Sequence, residues 1–145
     1  MAIKRILIPT DFSDTSLHAV DYAAELSKVS GATLTVLFVV EPLYYAGDLG
    51  LMLEEHQRFG KEQLATVAAR LKRRGAACRL VLRTGTPYQV IVDEAKWQKA
   101  DLIIMGTHGR TGLSHLLLGS VTEKVVRTAT TPVLTVPWHR RARRR

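Results

Sequence analysis

Apolar and β-branched residues gather in five short runs along the chain, at 3–9, 32–40, 77–82, 101–105 and 132–137, with helical periodicity between them. The first run, IKRILIP, ends at Pro9. The second, ATLTVLFVV, is almost unbroken, as expected of a strand covered on both faces. ACRLVL keeps a polar alternation, and DLIIM stops at Gly106. PVLTVP is bracketed by Pro132 and Pro137, which suits the edge of a sheet better than its middle. Between the runs, Leu17, Val20, Ala24 and Leu26 fall at near-helical spacing, with Ser13 or Asp14 as the cap and Gly31 as the stop. A longer helix is predicted over 51–74 from Leu53, Phe59, Leu64, Val67, Ala68 and Leu71. Arg73 and Arg74 complement the negative end of its dipole, and Gly75 follows. A third helix opens at Pro87 and carries Val90, Ile91, Ala95 and Trp97. A fourth covers roughly Ser120 to Ala129.

The order is therefore βαβαβαβαβ. Parallel strands joined by right-handed helical crossovers are the simplest way to bury such strands on both faces. The predicted fold class is α/β: one doubly wound, Rossmann-like domain with a five-stranded parallel sheet and helices on both faces. Ligands of such sheets bind beyond the carboxyl ends of the strands, where the winding reverses. That directs attention to the segments after residues 9, 39 and 105.

Composition narrows the classes. The chain has 145 residues, 46% of them hydrophobic, which fits one compact domain rather than two or a disordered chain. Its single cysteine, Cys78, excludes an internal disulfide framework and a multi-cysteine zinc site. No run approaches the roughly 18 apolar residues of a spanning helix, and the first residues lack a signal peptide's pattern. A cytoplasmic protein without membrane contact is expected. The net charge of +8 is uneven, since Arg140, Arg141, Arg143, Arg144 and Arg145 lie in the last six residues. Without them 16 basic residues face 13 acidic ones. The expected division is a domain over 1–138 and a basic tail over 139–145. The tail suits nucleic acid or another polyanion, or is simply a solvated extension. No zinc-finger, RRM or KH signature accompanies it.

The chemistry is expected in GTHGRTGLSHLLLGSVTEKVV, residues 106–126. Gly106, Gly109, Gly112 and Gly119 lie within 14 residues of one connection. Glycine permits close approach of another group to the backbone. Gly119 and Ser120 precede a helix, so the amides of Ser120 and Val121 face outward at its positive end, a natural place for phosphate. The Ser120 hydroxyl has three readings: a cap, a donor to phosphate, or a metal ligand. Neither a P-loop nor a dinucleotide GxGxxG is present. His108 and His115 flank the loop, but neither has a carboxylate partner at fixed spacing, and no catalytic residue is assigned. Asp93 and Asp101 show no partner, and Glu123 and Lys124 are expected to face solvent.

The spacing Gly106-x2-Gly109-x9-Gly119-Ser120 after LIIMG resembles the ATP-binding branch of the universal stress protein family. So do the opening IKRILIPTDFSDTS, the strand LTVLFVVEP, TGTP at 84–87 and the run ADLIIMGTHGRTGLSHLLLGSVTEKVVRTATTPVLTVP, which together span nearly the whole chain. The resemblance implies the strand order 3-2-1-4-5 and a site for ATP, with or without Mg. It places Asp11, in the Pro9-Thr10-Asp11 turn, at the adenosine part; capping the first helix is the other role open to that carboxylate. It puts Val39 at adenine through its backbone, with Pro9 and Met105 as walls. Gly106 and Gly109 fall on the ribose and phosphate side, and Gly119, Ser120 and Val121 at the phosphates. Arg110 is either a neutraliser of phosphate charge or a solvated loop residue. The resemblance further implies a homodimer through the edge strand near 132–137.

The function expected is nucleotide-dependent regulation in a stress response through an unknown protein partner, with slow hydrolysis at most. A second class is an ATP-using enzyme on the same scaffold, such as an adenylating pyrophosphatase. That chemistry is expected to show a Ser-Gly-Gly-rich loop after the first strand, where this chain reads PTDFSD. A third class is a polyanion binder working through the tail.

Overall fold

A computed structural model describes residues 1–42, 49–108 and 117–138. Five strands, β1 (Arg5–Pro9), β2 (Thr33–Val40), β3 (Cys78–Thr84), β4 (Leu102–Gly106) and β5 (Val133–Val136), alternate with four helices. These are α1 (Asp14–Ser30), α2 (Leu49–Arg73), α3 (Pro87–Trp97) and α4 (Ser120–Thr128). The sheet is parallel throughout, in the order β3-β2-β1-β4-β5. The doubly wound sheet expected from the sequence is therefore the fold, with its winding reversal between β1 and β4.

Strand alternation divides the core into two layers. Ile6, Ile8, Leu34, Val36 and Ile104 face Ala19, Val20, Ala23 and Ala24 of α1 and Leu64, Val67 and Leu71 of α2. Leu7, Leu37, Ile103 and Met105 point the other way, toward Ile91 and Ala95 of α3 and Val125 of α4. The central strands are buried almost end to end because both of their faces are covered.

Local chemistry sets the helix ends. The Ser13 side chain accepts from the Ser16 amide at the start of α1, and Gly31 ends it in the left-handed conformation at φ 72°. Pro87 takes the first turn of α3, after Thr86. α2 begins two residues earlier than its apolar pattern predicts. Asp101 does have partners: its Oδ2 accepts from the Lys4 and Arg5 amides at 2.8 and 2.9 Å, tying the start of β4 to that of β1. Nearly a hundred residues separate these groups, so no local spacing announces the contact.

The two edges of the sheet differ. β3 exposes Arg79 and Arg83, the latter paired with the buried Glu94 of α3 at 3.1 Å. β5 is four residues long and lies between Pro132 and Pro137.

Candidate functional site

The turn after β1 is built by its own side chains. Thr10 Oγ1 accepts from the Phe12 amide at 3.0 Å and shares a buried 2.8 Å hydrogen bond with Ser16 Oγ. The Asp11 Oδ1 accepts from the Ser13 amide at 3.0 Å. Between these two bonds Phe12 is held at φ 66°, a left-handed conformation costing roughly 1–2 kcal/mol for a residue with a side chain. Its ring compensates by packing on Phe38 and Phe59, at centroid distances of 4.7 and 6.0 Å. The turn thereby fixes Asp11 at the carboxyl edge of the sheet.

On the other side of the winding reversal, Gly106 ends β4 against the first turn of α1. A Cβ there would lie 2.8 Å from Thr15 Cγ2 and 3.1 Å from the Thr15 carbonyl carbon and oxygen. Helix packing thus disfavours any side chain here. The Thr122 hydroxyl donates to the Gly106 carbonyl at 2.9 Å and sets α4 on the strand end.

Gly119 is the N-cap of α4, with extended backbone at φ −58° and ψ 154°. Ser120 is the first helical residue, so the capping role open to it in the sequence falls to the position before it. The Gly119 amide donates to the Thr107 carbonyl at 2.7 Å and closes the base of the connection. The helical ladder starts with the Glu123 amide on the Gly119 carbonyl at 2.9 Å. The amides of Ser120 and Val121 therefore precede the ladder at the positive end of a nine-residue helix. Further along, Glu123 pairs with Arg127 at 2.9 Å, and Lys124 Nζ lies 5.3 Å from the Tyr88 ring centroid. Both residues thus have protein partners as well as solvent.

These pieces surround one open cavity of about 330 Å³, within the range of small-molecule sites. Pro9, Thr10, Asp11, Val39, Met105, Gly106, Gly119, Ser120 and Val121, all singled out in the sequence, line it. So do Leu37, Phe38, Glu41, Ile91 and Thr122, which were not. The α3 contribution depends on strand order, because α3 reaches the cavity only where β2 and β4 flank β1. Thr122 had a local signal, lying one helical turn beyond Gly119. His108 also lines the cavity, its Nδ1 3.0 Å from Thr107 Oγ1. Gly109, Arg110 and His115 lie outside the described residues, as does the segment 139–145. Apolar walls from β1, β2 and β4 suit a flat ring, the carboxylate of Asp11 suits hydroxyl donors, and the α4 amides suit an anion.

Fold and cavity together define a doubly wound α/β protein with a cavity at the reversal of its sheet. The chain belongs to the universal stress protein family, whose model matches residues 2–137. It is 38% identical over 138 residues to universal stress protein MJ0531 of Methanocaldococcus jannaschii, covering 92% of this chain and 81% of that one. Among solved structures, that of MJ0577, described as a structure-based assignment of biochemical function, superposes with a TM-score of 0.85 at 28% identity. The match covers 97% of this chain and 99% of MJ0577. A universal stress protein crystallised in complex with cAMP has a TM-score of 0.76 at 29% identity, covering 94% and 98% of the two chains.

Proposed function

We propose that this chain binds ATP, with or without Mg, in the cavity at the carboxyl edge of the sheet and acts as a nucleotide-dependent regulatory protein in the cytoplasm. The observation that carries this reading is the meeting of Asp11, at the end of β1, and Ser120 and Val121, at the positive end of α4, around one cavity that apolar strand-end residues also line. Asp11 would take the ribose hydroxyls, Val39 the adenine edge through its backbone, and Pro9 and Met105 the ring faces. Ser120 and Val121 would hold phosphate, together with the loop residues Gly109 and Arg110. Gly106 and Gly119 would leave the space beside them clear. Mg would enter on the phosphates, with the Ser120 hydroxyl as a protein oxygen offered to it. The cAMP-bound relative supports an adenine nucleotide as the ligand class.

In this reading the domain occupies 1–138, two copies pair through β5, and hydrolysis is slow at most. Bound and empty forms differ in affinity for a protein partner, which is all that a regulatory population shift requires. The test is thermal denaturation with and without nucleotide. At a hundred times its Kd a ligand of the folded state adds about 2.7 kcal/mol, a rise of roughly 5–10 °C for a chain of this size. Gly119→Val, which places bulk beside the leading amides of α4, should abolish the rise. No rise in the native chain, or an equal rise in the variant, overturns the assignment. Steady multiple turnover at ordinary enzyme rates would move the protein into the enzyme class.

A further inference from the structure

Charge is distributed unevenly between the two edges of the sheet. In an all-parallel sheet every strand starts at one edge, and the helices that return between strands end there. Lys28 occupies the last turn of α1; Arg70, Lys72 and Arg73 occupy that of α2, with Arg74 directly after it. Lys96 lies in the last turn of α3 and Lys99 just beyond, while Lys4 and Arg5 lead into β1. Contacts join these residues into one face. Lys28 Nζ lies 3.0 Å from Glu25, and Arg74 reaches Asp21 at 2.9 Å and Glu25 at 3.8 Å. After α1 stops at Gly31, the Thr33 amide donates to the Lys4 carbonyl at 2.9 Å. Arg5 Nε donates in turn to the Lys99 carbonyl at 3.0 Å, beside Asp101.

Nine cations thus meet three carboxylates, Asp21, Glu25 and Asp101, a surplus of six. All nine except the half-buried Arg70 are exposed. Glu94, in the same turn as Lys96, is engaged by Arg83 and cancels with it. Elsewhere among the described residues six cations face nine carboxylates, so the remainder of the domain is acidic in balance. Basic residues at helix ends ordinarily offset the macrodipole, roughly half a negative charge per helix. The ends of α1, α2 and α3 therefore absorb only about 1.5 charges, and most of the surplus is left to face solvent.

We propose that the amino edge of the sheet is an electrostatic docking face for duplex nucleic acid, which it holds through the phosphates without reading the bases. A duplex carries one phosphate charge per ~1.7 Å of its axis, so a stretch of about 20 Å can engage the whole face at once. Long lysine and arginine side chains on several elements suit such a spread of charge. The centre of the face, where Lys4 and Arg5 meet Asp101, presents charges and backbone rather than the aromatic anchors of a protein partner. The acidic balance of the remaining surface turns this edge toward the polyanion. The face lies at the opposite ends of the strands from the cavity and stands or falls without the nucleotide reading.

The experiment follows a fluorescent duplex of about 20 base pairs by anisotropy, between about 50 and 200 mM salt. An edge variant carries K72Q, R73Q and K99Q, exposed side chains outside the ion pairs above. A control variant removes the same charge at a distance, with R58Q, K61Q and K124Q. Both are repeated in a full-length chain carrying R140Q, R141Q, R143Q, R144Q and R145Q, which separates any contribution of the terminal arginines. The edge variant should bind roughly tenfold or more weakly for any duplex sequence, with a log–log salt slope flatter by about two to three. The control should stay within about twofold, and K72R, R73K and K99R together should restore binding. No duplex binding by the native chain at about 50 mM salt overturns the proposal, as does equal weakening in the two variants. Binding that vanishes with the terminal arginines alone does so too. Tighter capture by phosphatidylserine vesicles or by polyglutamate than by the duplex would assign the face to a membrane or an acidic protein, and equally overturns it.

Discussion

Gly106→Ala measures how tightly the strand carrying the site is pressed on the first helix. The added methyl would meet Thr15 Cγ2 at 2.8 Å, which can rotate aside. It would also meet the Thr15 backbone carbon and oxygen at 3.1 Å, which cannot move without shifting the first turn of α1. Forcing one extra carbon into a packed interior costs about 1–3 kcal/mol. The Thr122 hydroxyl bond to the Gly106 carbonyl must also adjust, so we expect about 2 kcal/mol. For a chain of this length that is a fall in Tm of roughly 4–8 °C. Urea unfolding followed by circular dichroism, without nucleotide, should show the lower midpoint at an unchanged slope. Combining the change with Thr15→Ala should recover less than half of the loss, because the carbonyl contacts persist. A single-variant loss below about 0.5 kcal/mol would refute the packing argument and leave Gly106 a matter of ligand clearance alone.

Two further measurements follow from the charges. Asp21 receives two 2.7 Å hydrogen bonds from Arg70 and one 2.9 Å contact from Arg74. Burial raises its carboxyl, but the Arg70 bonds and the charges of both arginines outweigh burial and hold it below its usual 3.8. This stabilisation is complete above the unfolded-state value and fades as pH falls through the lower folded value. Asp21→Asn should therefore cost about 1 kcal/mol near neutral pH, both arginines being partly exposed. That deficit should shrink in acid below about pH 4; a deficit independent of pH across an acid urea series would count against the pairing. Burial pushes the Cys78 thiol up. Its alkylation by iodoacetamide at neutral pH should be slower than that of a free thiol and should match it in denaturant. Equal rates in the folded chain would contradict the burial.

The fold was legible wherever one residue answers to one local constraint. Ser13 caps α1, Gly31 takes positive φ, Pro87 opens α3, and the LIIMG run is a buried strand ending at a glycine. The strand ends at which the cavity lies and the start of the last helix were legible from the same pattern, whereas Pro9, Asp11, Val39 and Met105 as site residues came from the family resemblance. What escaped depends on distant partners. The clash awaiting a side chain at Gly106 comes from Thr15, some ninety residues earlier in the chain. The Gly119 amide is taken by Thr107 across the whole connection, and Asp101 is claimed by backbone nearly a hundred residues earlier in the chain. The left-handed Phe12 is unmarked in the sequence because its rings of support, Phe38 and Phe59, come from two other elements.

The unequal borders of the sheet bear on how copies of the chain can assemble. Along β3, the exposed Arg79 sets a like charge against any identical strand laid beside it, which discourages extension on that side. β5 offers only a brief stretch of free backbone before proline removes the next donor. Two molecules meeting there back to back leave just their guarded flanks outward. Such growth would halt at a closed pair, whereas a sheet equally welcoming on both flanks would go on adding members into a fibre.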